Sequence, residues 1–115
     1  MGKVINFSGS VRPDNVKAFV IFNGSDASII KSKNISSLTR ISKGKFEIIF
    51  NIPFNHTNYI VLGSDVGSTL EGYHSALVSN GVSKETDRCQ FKFVNDNGAT
   101  YDLEHLQVCI LDMEA

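Results

Sequence analysis

Three histidines, His56, His74 and His105, are the residues of this chain best suited to proton transfer or metal binding. None has a partner two or four positions away, and no paired-Cys, Cys-His or His-Glu-x-x-His spacing occurs. A zinc site needs three or four such ligands converging on one point, so none is expected. Gly63-Ser64-Asp65-Val66-Gly67 has the glycines of a nucleophile elbow but places Asp where the attacking Ser belongs. The same glycines lack the Gly-Lys-Ser/Thr ending of a phosphate cradle. Asn95-Asp96-Asn97-Gly98 is rich in oxygen donors but has no bidentate Glu at the distance a calcium loop requires, and reads as a turn. A glycosidase pair needs two carboxylates roughly 5 to 10 Å apart in space. Linear spacing cannot show that, and the titratable residues are nowhere concentrated. The expectation is a non-enzymatic protein without metal or cofactor.

The remaining reactive groups are thiols and aromatic rings. Cys89 shares a strand face with Phe91 and Phe93, whereas Cys109 falls opposite Leu106, Val108 and Ile110 on its own strand. Aligning the two apolar faces puts the sulfurs on opposite sides of a sheet, which predicts free thiols and fits synthesis in a reducing cytoplasm. The eight Phe fall mostly on strand positions, where core packing is the default, and there is no Trp. Tyr73-His74, at the end of a loop, is the aromatic pair best placed to touch a ligand. Four Asn-x-Ser/Thr triplets occur in a chain rich in these residues, and chance accounts for them.

These groups must be positioned by a chain of 115 residues, enough for one domain and one core. Eleven basic and twelve acidic residues nearly cancel, which argues against nucleic acid as a partner. The densest basic stretch, residues 31–45, interleaves its charges with Ser and Ile and reads as a solvated edge or turn. No apolar run approaches the roughly 20 residues of a membrane span. The start has neither the layout of a secretory signal nor the Ser or Thr at position 6 that myristoylation wants, so no insertion or lipid anchor is expected.

Residues 1–15 read as an entry segment and connector, with Val4-Ile5-Asn6-Phe7 a candidate short strand, and 16–115 as a single folded domain. Strand-like runs occupy 16–23, 27–32, 35–42, 46–52, 58–64, 72–79, 89–94 and 105–112. Between them lie turn formers such as Asn23-Gly24-Ser25-Asp26, Lys43-Gly44-Lys45 and Pro53-Phe54-Asn55. Alternation is clearest at Phe46, Ile48, Phe50 and Ile52, with Glu47 and Asn51 pointing the other way and Ile49 breaking that polar face. No helical stripe of useful length occurs. The pattern predicts an all-β fold, an antiparallel β-sandwich of jelly-roll-like type with about eight strands.

Phe19-Val20-Ile21-Phe22 and Ile60-Val61-Leu62 are apolar on both faces. A strand of this kind is covered on both sides, and one short chain has little material to do so. The expectation is burial against copies of itself, through a shared sheet face.

The order of motifs resembles a domain recurrent in phage tail-fibre and related receptor-binding proteins. The matching pieces are Lys17-Ala18-Phe19-Val20-Ile21-Phe22-Asn23-Gly24, Asn34-Ile35-Ser36-Ser37-Leu38-Thr39, Gly44-Lys45-Phe46-Glu47-Ile48-Ile49-Phe50, then Pro53 and Asn58-Tyr59-Ile60-Val61. The likeness covers about half of the chain. Phe19 stands where the family usually has Trp, and Ser42-Lys43-Gly44 replaces its Gly-rich turn. The resemblance implies a virion adhesin, commonly a homotrimer, made in the host cytoplasm and carried on the tail fibre beside other virion tail proteins. Its receptor would be a glycan or protein of the bacterial surface. Contacts are then expected from the loops 65–73 and 80–88, with Asp65, Tyr73, His74, Lys84, Glu85, Asp87 and Arg88 as receptor-binding candidates. A purely structural virion part, a fibre connector or capsid decoration protein, would need the same strands without a ligand. An enzyme acting on surface polysaccharide is the weakest alternative.

Overall fold

A computed structural model describes residues 15–65, 76–77, 83–94 and 104–113. Among these residues are nine strands: β1 (Val16–Asn23), β2 (Ser28–Lys33), β3 (Ile35–Ser42), β4 (Lys45–Phe50), β5 (Ile60–Asp65), β6 (Ala76–Leu77), β7 (Ser83–Lys84), β8 (Arg88–Val94) and β9 (Leu106–Leu111). All pairings are antiparallel. One sheet, A, runs β2-β1-β9-β5, and the other, B, runs β3-β4-β8 with β7 also on β8. The two pack face to face as a β-sandwich.

Alternation creates the core. Ala18, Val20 and Phe22 of β1 and Leu106, Val108 and Ile110 of β9 meet Phe46, Ile48 and Phe50 of β4 and Cys89, Phe91 and Phe93 of β8. Phe22 crosses the gap to Phe46 at 4.9 Å, edge to face, and both rings lie near Phe91 at about 6 Å. Such pairs add about 0.5–1.5 kcal/mol beyond the area they bury.

The layers are joined along both sides. On one side β6 pairs with β5 at Ser64 and Ala76, and with β8 at Ala76 and Val94. On the other a single residue, Asn34, carries the chain from edge strand β2 to edge strand β3 with φ of 58°. Asn tolerates this left-handed geometry. Its side chain holds the corner by accepting from the Ile52 N–H at 2.6 Å and donating to the Ile52 carbonyl at 3.1 Å. Gly44, with φ of 73°, supplies the β3–β4 turn.

Several expectations are corrected. Ile52 does not continue the inner face of β4. That strand ends at Phe50, and Ile52 is 69 % exposed. Ala27 closes the β1–β2 turn at φ of 60° instead of opening a strand. The predicted loop 80–88 contains β7. Strands β8 and β9, read as neighbours across the Asn95 turn, lie in opposite sheets. Both cysteines are free, Cys89 inside the core and Cys109 on the outer side of sheet A. Of the predicted strand 72–79, only Ala76–Leu77 falls within the described residues, and the candidate strand at 4–7 lies outside them.

Candidate functional site

Four of the candidate residues, Lys84, Glu85, Asp87 and Arg88, lie in the β7–β8 hairpin, which aromatic packing holds in place. Phe50, Phe54 and Tyr59 form a second cluster, with centroid distances of 4.7 to 5.7 Å. Buried Tyr59 extends its hydroxyl to the Glu85 carbonyl at 2.6 Å and the Arg88 carbonyl at 3.1 Å. Burial raises its pKa well above the ordinary phenol value. The Phe50 N–H donates to the Asp87 carbonyl, the Phe54 N–H to the Thr86 carbonyl, and the Glu85 N–H to the Arg88 carbonyl. The hairpin is therefore a fixed ledge.

Its charged side chains are largely engaged. The Lys84 ammonium donates to the Tyr59 carbonyl at 2.9 Å and lies 5.6 Å from the centre of that ring. Arg88 grips the Asp87 carboxylate through Nε and Nη2 at 3.3 and 3.1 Å and stands 3.9 Å from Glu47. That pairing lowers the Asp87 pKa and raises that of Arg88. Gln90 completes the network by donating to Glu47 at 2.9 Å. Glu47 and Gln90 were not among the candidates, although alternation with buried Phe46 and Ile48 puts Glu47 on the outer face.

Asp65 is not part of this group. It ends β5 opposite Leu106, at the end of the sandwich that also carries the Asn23 turn. The β7–β8 hairpin belongs to the other end, where Tyr59 enters β5 and Leu111 leaves β9. Tyr73 and His74 lie outside the described residues. His56 is a residue that sequence spacing could not pair. Its Nδ1 accepts the Asn58 N–H at 3.0 Å, and its Nε2 faces Asp112 Oδ2 at 3.2 Å. Among the described residues no three His, Cys, Asp or Glu side chains gather as a metal site would require.

The outer face of sheet B is mostly polar, although Ile49 lies on it between Ser37 and Arg88 and Ile41 of β3 is 45 % exposed. Sheet B presents cross-strand rows such as Thr39–Glu47–Gln90–Ser83 and Lys45–Lys92. Sheet A presents Lys33–Phe19–Cys109–Leu62 and, beside it, Lys31–Ile21–Gln107–Ser64. Gln107 and Ser64 satisfy one another at 3.0 Å. Leu62 is 52 % exposed and Ile60, on the same face, 43 %. Phe19, Ile21, Leu62 and Cys109 line a shallow groove of about 410 Å³. Burial pushes the Cys109 thiol above its usual pKa, away from a reactive thiolate. Among the described residues, the double-faced runs thus leave Ile60 and Leu62 about half exposed.

Fold and surface together define an antiparallel β-sandwich with an apolar row across the outer face of sheet A. No family model, curated protein or solved structure matches the chain.

Proposed function

We propose that this chain is a non-enzymatic virion module of tail-fibre type that assembles with copies of itself through the outer face of sheet A and binds a receptor on the bacterial surface. The observation that carries the assembly is the row Phe19–Cys109–Leu62, apolar across three strands of sheet A, with Leu62 half exposed. Fully burying a large aliphatic side chain is worth about 1.5–3 kcal/mol, so half-exposed Leu62 and Ile60 gain from a partner surface of the same kind. Lys31, opposite Ile21 at the edge of this face, marks a polar rim, as interfaces have. Repeated copies would add avidity to a weak receptor contact. The motif resemblance supports the adhesin part of this reading.

Two measurements test it. Mass in solution is expected to show an oligomer, a trimer on the tail-fibre reading; a stable monomer at micromolar concentration contradicts assembly. Labelled protein is expected to adsorb to host cells. A chain that forms the oligomer and co-purifies with a neighbouring virion protein, yet ignores cells, is instead a structural part.

A further inference from the structure

The geometry points to a binding groove for a carboxylate-bearing sugar unit at the corner where the chain passes from sheet A to sheet B, formed by Lys17, Lys33, Ile52, Pro53, Phe54 and Asn55. This names a receptor chemistry, and it rests on the receptor-binding reading above. The groove has a volume of about 450 Å³, the size range of small-ligand sites, and shares no lining residue with the apolar groove of sheet A.

The charges come from strand register. Lys33 lies opposite Phe19, and Lys17, at the bulge between Val16 and Ala18 of β1, lines the same groove as Lys33. Lys33 is oriented by donating to the Val16 carbonyl at 2.9 Å, which leaves two ammonium protons for a ligand. Lys17 is exposed and forms no hydrogen bond or ion pair among the described residues.

The apolar floor comes from the corner. The amide of Asn34 clasps both backbone groups of Ile52, presenting an aliphatic side chain that is 69 % exposed beside Pro53. Phe54 is fixed from behind by Phe50 at 4.9 Å and Tyr59 at 4.7 Å. A sugar ring has a C–H face that packs on such a surface and hydroxyls at its rim. Asn55, exposed beside the floor, offers both a donor and an acceptor. The one carboxylate at the wall, Asp112, is turned to His56 at 3.2 Å. Two cations against one paired carboxylate favour an anionic over a neutral saccharide.

The probes are a hexasaccharide alternating glucuronate with N-acetylglucosamine, a polygalacturonate hexasaccharide, and both after reduction of their carboxyls to alcohols. Amide shifts of the full chain, followed by NMR titration, are expected at Asn34, Ile52 and Asn55 with an acidic probe, and to vanish after carboxyl reduction. The double variant Lys17→Glu/Lys33→Gln, whose fold is checked by its own amide spectrum, is expected to weaken binding about tenfold or more, the scale of two exposed ion pairs. Absence of shifts at these residues with both acidic probes, or equal binding of reduced probes or of the double variant, overturns the groove. Adsorption to host cells gives a separate reading. If wild type and double variant adsorb equally, the groove fails while receptor binding stands; if wild type shifts with the sugar but ignores cells, the groove stands and the adhesin reading fails.

Discussion

The hydroxyl of Tyr59 sits 2.6 Å from the carbonyl oxygen of Glu85, joining the entry of β5 to the turn between β7 and β8 across twenty-six residues of chain. The phenol ring packs in the Phe50–Phe54 cluster, so a core contact and a surface turn share one side chain. Tyr59→Phe keeps the ring and removes the tie. The Arg88 carbonyl still receives the Glu85 N–H at 2.9 Å, whereas the Glu85 carbonyl loses its phenol donor. The expected cost is about 1–2 kcal/mol, read as a lower urea midpoint, with faster hydrogen exchange concentrated at residues 85–88. An unchanged midpoint would show that the tie contributes nothing.

Leu62→Lys places a charge at the β5 end of the apolar row of sheet A without touching the core. Because Leu62 is half exposed, thermal stability of the protomer is expected to change by less than about 0.5 kcal/mol, while the oligomer proposed above is expected to dissociate. Light scattering after gel filtration checks the mass, and thermal melts check the protomer. The mirror experiment, Glu47→Lys on the polar face of sheet B, is expected to leave the mass as it was.

Two substitutions at Asn34 separate its two roles. Asn34→Gly keeps the left-handed corner and removes the bonds to Ile52, for an expected loss of about 1–2 kcal/mol. Asn34→Ala removes the same bonds and, unlike Gly, keeps a Cβ at φ of 58° without the polar side chain that lets Asn tolerate it, for about 1 kcal/mol more than Gly. Equal losses for both, measured by denaturant unfolding, would mean that the backbone geometry carries no cost.

Alkaline pH should weaken the fold through Cys89. Burial raises its thiol to about 12 from an ordinary value of 9.0. Between these values the unfolded chain has released the proton and the folded chain holds it, so the unfolded state binds fewer protons and stability falls as pH rises. One such group contributes a slope of at most about 1.4 kcal/mol per pH unit, present across that window and absent below it. Cys89→Ala, less stable at neutral pH because of the cavity, is expected to show a shallower decline between pH 9 and pH 11 in urea titrations. Parallel declines for both proteins would remove Cys89 as the cause.

Local pattern was enough for the inner faces. Phe46, Ile48 and Phe50, Cys89, Phe91 and Phe93, and Leu106, Val108 and Ile110 all point inward as alternation predicts, because the period of a strand is a property of the backbone. The pattern failed at Ile52, where apolar character continued beyond the strand and a corner, not a sheet, received it. It also could not pair β8 with β4 or β9 with β1. Those choices compare partners far apart in sequence, and hairpin proximity suggested a neighbour that the sandwich does not use.

The candidate residues divide along the same line. That residues 83–88 would be polar and Asp65 exposed to a turn could be read directly, but alternation says nothing about which end of the sandwich receives each loop. Tertiary pairing separated Asp65 from Lys84, Glu85, Asp87 and Arg88, brought Glu47 and Gln90 to Arg88, and set His56 against Asp112. Composition and alternation alone determined an all-β chain with strands that are apolar on both faces. Only the folded arrangement decided that Phe19, Cys109 and Leu62 form one row across sheet A, since which outward residues become neighbours depends on strand order, and strand order is set by long-range hydrogen bonding that no local window contains.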